Sequence, residues 1–538
     1  MPERGTIEAM KILVADRLEE DGLRLLKKER GVKVDVKLGL HPEELKKIVG
    51  GYEAVIVRSS TRLTKEILEA ARNLKVIGRA GVGVDNVDLD TATKHGIIVM
   101  NTPEGNTTAT AEHTMTMMLA MARKIPQAYV SLIRGKWRRE EFLGTELQGK
   151  TLGVIGLGRI GREVAKRAGQ GFGMRVLAFD PFITEDSVKP LGVTVCDLKI
   201  LFKESDFVTV HTPLTPETKH LIDRNAFQQM KKGVRILNCA RGGIVDEKAL
   251  LQAIRSGKVA GAALDVFEKE PPGNHPLLKC PQVIATPHLG AATREAQENV
   301  SVAVVKQVLD ALHNRAIRNA VNLPSLDPET YRVLQPWIVL AERMGLIHTQ
   351  LFGGKLREVT VRFCGEVTQY PVASLTVAVL KGLLAPISGG TVNYVNAPAL
   401  ARERGITVIE SKTSEAKDFA NFIEIESSQN HDKNHIMGTL FGNRDPRIVK
   451  INEFLLDAEP KGYMLFIHNE DRPGVVGSLG TILGRNNVNI AEMTLGRIKK
   501  QNKTMALTVI NTDQNVPAKV LDEIKKFSAI LDVKLVKL

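Results

Sequence analysis

At 538 residues the chain exceeds what one hydrophobic core serves, and its length predicts three or four domains. Hydrophobic residues make up 43% and charged residues 25%, and no apolar run approaches the ~18 residues that a membrane-crossing helix needs, so no membrane partner is expected. The net charge is +13, but Lys and Arg interleave with Asp and Glu, aromatics reach only 4%, and no recognition module accompanies the charge; a nucleic-acid partner is not expected.

The first ten residues, MPERGTIEAM, carry no signal core, and Met10 opens a strand-like run, so either Met1 or Met10 fits as the start. Residues 11–103 alternate short apolar runs (ILVAD, AVIVRS, VIGRAG, IIVMN) with amphipathic stretches, the rhythm of a parallel sheet. One long methionine-rich helix follows over TATAEHTMTMMLAMARKI, its thioethers serving as core filler. Strand–helix alternation resumes from Leu147 to about Pro287, then a helix near Glu295–His313 leads to the Pro-marked stretch NLPSLDP. Residues 355–460 read as alternating strands with one helix, and 461–538 as strand, helix, strand, strand, helix, strand, a ferredoxin-like pattern. The most basic cluster, Lys499 to Lys503, is short. Cys196, Cys239, Cys280 and Cys364 stand far apart, offering neither a disulfide framework nor a metal pair, and no metal is expected. That usage fits a cytoplasmic location.

The strongest local signal is TLGVIGLGRIGREVAKRA. A strand runs into Gly156, Gly158 and Gly161 at GxGxxG spacing and a helical pattern follows at once. Gly156 permits the tight turn, Gly158 lets a diphosphate approach the backbone, and Gly161 lets helix and sheet pack closely. The next strand ends in Asp180, nineteen residues past Gly161, where an acid bonds ribose hydroxyls and repels a 2′-phosphate. NAD rather than NADP is predicted. The earlier Gly81-Val82-Gly83 has Asn86 in place of the third glycine and is not that turn.

Oxidising a hydroxy acid needs a cation for the carboxylate and a base for the hydroxyl proton. NCARGGIVDE offers Arg241, ALDVFEKEPP offers Asp265 and Glu270, and ATPHLGAAT offers His288, each after a strand-like run. His211 also follows a strand, and spacing alone does not choose between it and His288.

The ordered set GLGRIG, HTPLTPET, NCARGGIVDE, ALDVFEKEPP, TPHLGAAT resembles the D-2-hydroxyacid dehydrogenase family over about Lys11 to Pro324. The resemblance implies catalytic roles for Arg241, Glu270 and His288. It places NAD contacts at Val82, Gly156, Gly158, Arg159, Ile160, Gly161, Asp180, Thr212, Cys239, Ala240, Arg241, Asp265, His288, Leu289, Gly290 and Ala291. Within the family, VRSSTRLT, GRAGVGVDNVDL, MNTPEGNTTATAEH and GKWRREEFLGTEL resemble the branch that oxidises D-3-phosphoglycerate. They imply substrate contacts at Arg58, Arg79 and Asn106, and a phosphate ligand, Arg139 or the adjacent Arg138, reaching a neighbouring subunit's site. Residues 461–538 resemble an ACT domain, with Asn469, Asp471 and Asn489 as a candidate L-serine site and Asp471 beside the first turn of a helix. Residues 326–460 resemble the intervening allosteric domain of the long form.

The expected architecture is α/β: a substrate domain from 1–103 and 289–325, an NAD-binding doubly wound domain over 104–288, an intervening α+β domain over 326–460 and an ACT domain over 461–538. The expected function is NAD-dependent oxidation of D-3-phosphoglycerate, entry to serine synthesis, by a homo-oligomer, a tetramer in the resemblance. The alternatives are a glyoxylate or hydroxypyruvate reductase, and a non-catalytic NADH-sensing corepressor of the same fold.

Overall fold

The computed structural model describes residues 9–353, 356–388, 392–413, 419–429, 432–500 and 503–538. Of the two candidate starts, Met1 lies outside the described residues, as does part of the basic 499–503 group, whereas Met10 is described. The first sheet is parallel, in the order Val32–Val36, Met10–Val14, Ala54–Val57, Val76–Arg79, Ile98–Met100. Four of these strands are the apolar runs read from the sequence. The fifth, Val32–Val36, escaped that reading because its VKVDV pattern belongs to a half-buried edge. Helix Arg294–Leu312 returns to this sheet, and Val300, Val304, Val305 and Val308 pack on Ile12, Ile56 and Val76. The chain thus leaves the first domain and comes back to finish its core.

The second sheet has seven parallel strands in the order Val283–Ala285, Val259–Leu264, Val234–Asn238, Phe207–Val210, Thr151–Ile155, Arg175–Phe179, Val193–Val195. Chain order reverses between Phe207–Val210 and Thr151–Ile155, and at such a reversal the carboxyl ends of the strands open a crevice. The two sheets are both doubly wound. The long helix expected over residues 108–125 is Thr107–Ala122, and a second helix, Ile125–Ile133, follows it. Lys124 takes φ 53 between them, and Pro126 in the first turn of the second helix supplies no N–H to continue the first. Met115, Met117, Met118 and Met121 fill the core beneath.

Helices Pro328–Phe352 and Ala373–Leu384 pack together on a six-stranded mixed sheet. The terminal unit is an antiparallel sheet in the order Ile490–Lys500, Lys503–Thr512, Tyr463–Glu470, Ile530–Lys537. Its helices Val475–Arg485 and Ala518–Lys525 cover one face, and the other face buries Met464, Phe466, Leu507, Val509 and Val536 in the core of the preceding domain. Among the described residues, no helix is long and apolar enough to cross a membrane.

Candidate active site

The glycine turn sits at the crevice. Strand Thr151–Ile155 is wholly buried and ends at Gly156, whose φ of 89° a side chain resists. A Cβ added there would lie 2.7 Å from the His211 carbonyl oxygen, and one added at Gly161 only 2.1 Å from the Gly156 carbonyl oxygen. At Gly158, which caps helix Arg159–Lys166, an added Cβ would meet nothing within 4 Å. The two outer glycines are therefore fixed by packing, and the middle one keeps a side open to a diphosphate. Asp180 lies against this turn, accepting from the N–H of Leu157 at 2.8 Å and of Phe182 at 2.9 Å.

Other residues expected to hold the dinucleotide surround the same crevice. Thr212, beside Gly156, has a buried hydroxyl with no partner. The Arg159 guanidinium reaches Glu104 at 3.2 Å, while Ile160 is half-buried in the sheet core. The Val82 carbonyl accepts from Asn101 Nδ2 at 2.6 Å, and the Ala240 N–H is turned to Asn238 Oδ1 at 3.1 Å. Burial, with nearby Asp265, pushes the Cys239 thiol up to about 12, so it stays protonated and is no nucleophile. The open backbone at Gly158, the acid at Asp180 and the unpartnered Thr212 hydroxyl fit a dinucleotide.

The neighbouring strands Val234–Asn238, Val259–Leu264 and Val283–Ala285 deliver the reactive groups from their carboxyl ends. His288 sits at φ 54 with its ring half exposed, and its Nδ1 lies 2.8 Å from Glu270 Oε2. Glu270 is itself held, since Oε1 accepts from the Phe267 N–H at 3.1 Å. His211 is differently placed. It bonds Thr209 Oγ1 at 3.0 Å, and burial lowers its pKa to about 4, so it stays neutral. Only His288 of the two has a carboxylate partner.

Arg241, Arg79 and Arg58 form a guanidinium cluster. Arg241 points Nε at Asp85 Oδ2, 3.2 Å away, and donates from Nη1 to the Ala240 carbonyl at 2.7 Å. Arg79 is largely buried with Nε unpartnered, and burial, then the charges of Arg241 and Arg58, lowers its pKa to about 10. Arg58 is set in place by its N–H to Asp16 Oδ2 at 2.6 Å. Asn106, at the start of helix Thr107–Ala122, keeps a buried, unpartnered Oδ1. Cations crowded at mutual cost, with donors and acceptors left over, suit a polyanionic ligand. Arg138 is paired with Glu141 at 3.1 Å, whereas Arg139 makes no side-chain bond among the described residues.

Sequence reading missed Asp85, His113 and Thr286. Asp265 accepts from Thr286 Oγ1 at 2.6 Å, Leu289 N at 2.7 Å and Gly290 N at 2.8 Å, with His113 Nε2 3.2 Å away. Its carboxylate therefore works inside the protein, shaping the loop that runs on to Ala291. Asp85 and His113 sat within the quoted motifs GVGVDN and TAEH, but nothing local distinguished them from surface polar groups.

In the terminal unit, Gly474 caps the helix three residues after Asp471, and Asp471 pairs with Arg497 at 3.1 Å. Asn469 is buried, accepting from Thr508 Oγ1 at 3.0 Å. Asn489 bonds Asp513 at 2.6 Å at the other end of the sheet. Ala506 lies beside Asn469 and Thr512 beside Ile490, six residues or roughly 20 Å apart along the strand. One chain does not bring Asp471 and Asn489 together.

Comparison with known proteins accords with this geometry. Residues 115–290 match the NAD binding domain of D-isomer specific 2-hydroxyacid dehydrogenases, 333–452 the D-3-phosphoglycerate dehydrogenase intervening domain, and 463–529 the ACT domain. D-3-phosphoglycerate dehydrogenase of Archaeoglobus fulgidus is 46% identical over 98% of this chain and 100% of its own length. The Bacillus subtilis enzyme of that name is 41% identical over 98% of this chain and 99% of its own. Among solved structures, a protein from Thermus thermophilus aligns with TM-score 0.54 at 42% identity, covering 58% of this chain and 100% of that one. D-Lactate dehydrogenase from Aquifex aeolicus, complexed with NAD and lactic acid, aligns with TM-score 0.52 at 32% identity, covering 56% and 96%. The chain belongs to the D-3-phosphoglycerate dehydrogenases of the D-isomer specific 2-hydroxyacid dehydrogenase family.

Proposed function

We propose that this chain oxidises D-3-phosphoglycerate to 3-phosphohydroxypyruvate with NAD, the first step of L-serine biosynthesis. The observation that carries the proposal is the His288–Glu270 couple at 2.8 Å, delivered by strands neighbouring the one that leads to Arg241, whose charge acts on Arg79. Gly156, Gly158, Gly161, Asp180 and Thr212 would hold the dinucleotide, and bound NAD supplies a hydride acceptor at the nicotinamide. An ionised carboxylate only accepts, so Glu270 fixes the hydrogen on Nδ1 of His288 and leaves Nε2 as the base. Nε2 takes the hydroxyl proton, and Glu270 stabilises the resulting imidazolium. Arg241 binds the carboxylate and polarises the forming carbonyl. Arg58, Arg79 and Asn106 bind the rest of the substrate.

The active species is proposed to be a homo-oligomer, a tetramer in the fullest reading, acting in the cytoplasm. Helix Ile125–Ile133 and the loop after it expose Tyr129 at 64%, Ile133 at 64%, Trp137 at 77% and Leu143 at 82%. Such an apolar patch suits a second copy. Arg139 lies in that same loop, so pairing there would carry it to the neighbour's substrate phosphate. Likewise an L-serine site would be shared, Asn469 and Asp471 from one copy meeting Asn489 from another.

The test is NADH formation followed by absorbance. Turnover with D-3-phosphoglycerate should exceed that with glycerate or lactate by orders of magnitude. Equal rates, or preference for glyoxylate and hydroxypyruvate in the reductive direction, would refute the assignment. Inhibition by millimolar L-serine is expected in the same assay.

A further inference from the structure

The loop that carries His288 is tied down by one buried carboxylate. Asp265 is 1% exposed, and its side chain accepts from Thr286 Oγ1, Leu289 N and Gly290 N. Its backbone carbonyl also accepts from the His288 N–H at 2.9 Å. A fourth donor, the second from a side chain, comes from a separate element. His113, on helix Thr107–Ala122, places Nε2 3.2 Å from Asp265 Oδ1 and 3.1 Å from Thr286 Oγ1. The Thr286 hydroxyl has one hydrogen and spends it on Asp265 at 2.6 Å, so the hydrogen between Thr286 and the ring belongs to Nε2. Burial pushes the Asp265 carboxyl up, but His113, Thr286 and the two N–H groups together hold it below the ordinary carboxylate range.

The rest of that helix face looks the same way. Asn106, Thr110, His113 and Met117 recur at intervals of four, three and four, which stacks them on one stripe. Asn106 Oδ1 and Thr110 Oγ1 are buried without partners, Met117 Sδ lies 3.9 Å from Thr286 Oγ1, and the Thr110 methyl would lie 3.4 Å from a Cβ at Gly290. The helix therefore touches the loop of residues 286–290 from Thr110 through His113 to Met117, over two turns.

We propose that His113 is a positioning residue: it clamps Asp265 and Thr286 from the helix and so fixes the loop that aims His288 at the substrate hydroxyl. The inference rests on the reading of His288 as the proton acceptor. His113 acts through Asp265 and not on the reacting atoms. Without it, a buried carboxylate lacks a donor and turns toward the loop's other groups, which moves the His288 backbone.

The experiment compares His113→Ala, His113→Met, His113→Gln and His288→Ala in the full-length protein, with kcat and KM for D-3-phosphoglycerate, NADH binding by fluorescence, and the thermal midpoint. Removing one hydrogen bond to a buried charge should lower kcat roughly tenfold in His113→Ala and His113→Met. KM for D-3-phosphoglycerate should shift by less than about threefold, since Arg241 is untouched. His113→Gln keeps an N–H donor and should recover most of kcat. The clamp is overturned if His113→Met keeps wild-type kcat, or if His113→Gln loses as much as His113→Met. Should His113→Ala not fold, the Met and Gln variants read the same donor. Wild-type turnover in His288→Ala would overturn the underlying reading, whereas an inactive His288→Ala beside an unaffected His113→Met overturns the clamp alone.

Discussion

A single guanidinium shows how much the site depends on shape as well as charge. Arg241 spans the cleft, with Nε on Asp85 and Nη1 on the Ala240 carbonyl, so its fork is oriented before any carboxylate arrives. Lysine keeps the charge but loses that fork. Arg241→Lys should therefore lower kcat/KM for D-3-phosphoglycerate by roughly 100-fold, about 3 kcal/mol, with NADH binding weakened far less. Steady-state rates and a fluorescence titration check both halves. Asp85 was legible only once the fold existed. It lies in GVGVDN, 156 residues before Arg241, and no local pattern announces an ion pair over that distance.

Among the elements, the strand–turn–helix at Thr151–Lys166 was the most legible, because each glycine has a steric task that its neighbours in sequence reveal. An added methyl at Gly161 would drive the helix off the Gly156 carbonyl, 2.1 Å away. Gly161→Ala should weaken NADH binding at least tenfold in a fluorescence titration while far-UV circular dichroism stays near wild type. Helix Pro328–Phe352 carries a different liability. His348 is fully buried against Ser427 Oγ at 2.8 Å, and burial lowers its pKa to about 4. An unfolded histidine takes its proton near pH 6.5, before the buried one does, so acid favours the unfolded chain. Stability is present above pH 6.5 and is lost as pH falls toward 4. His348→Gln should make the pH dependence of the urea midpoint shallower across that window, while leaving pH 8 stability within about 1 kcal/mol. Helix Ile125–Ile133 was less legible, since Pro126 marks a boundary without announcing that a helix begins there.

For the whole molecule, the proposed assembly is tested by which residues act across subunits. Arg139 makes no side-chain bond among the described residues and sits in the loop beside exposed Trp137 and Leu143. If it serves a neighbour's site, Arg139→Ala and His288→Ala each abolish most activity, but their faults lie in different subunits' contributions. Unfolding and refolding the two variants together should then restore activity to about a quarter of wild type or less, the share of sites with both residues intact. No recovery on mixing would place Arg139 in its own chain's site. The terminal unit obeys the same geometry: its two candidate serine-binding ends lie roughly 20 Å apart in one chain, so effector binding should depend on assembly.

Local pattern sufficed for the strand–helix rhythm of the two parallel sheets apart from edge strand Val32–Val36, the glycine turn with Asp180, and the strand–helix order of the terminal unit. These follow from periods of two and 3.6 residues and from turn chemistry, all short-range interactions along the chain. It took the packed chain to establish that His288 rather than His211 meets a carboxylate, that Asp85 faces Arg241, that His113 reaches Asp265, and that Asp471 lies far from Asn489. Those pairings join segments up to 156 residues apart, and only the packing of sheets and the return of helix Arg294–Leu312 set which loops share a cleft.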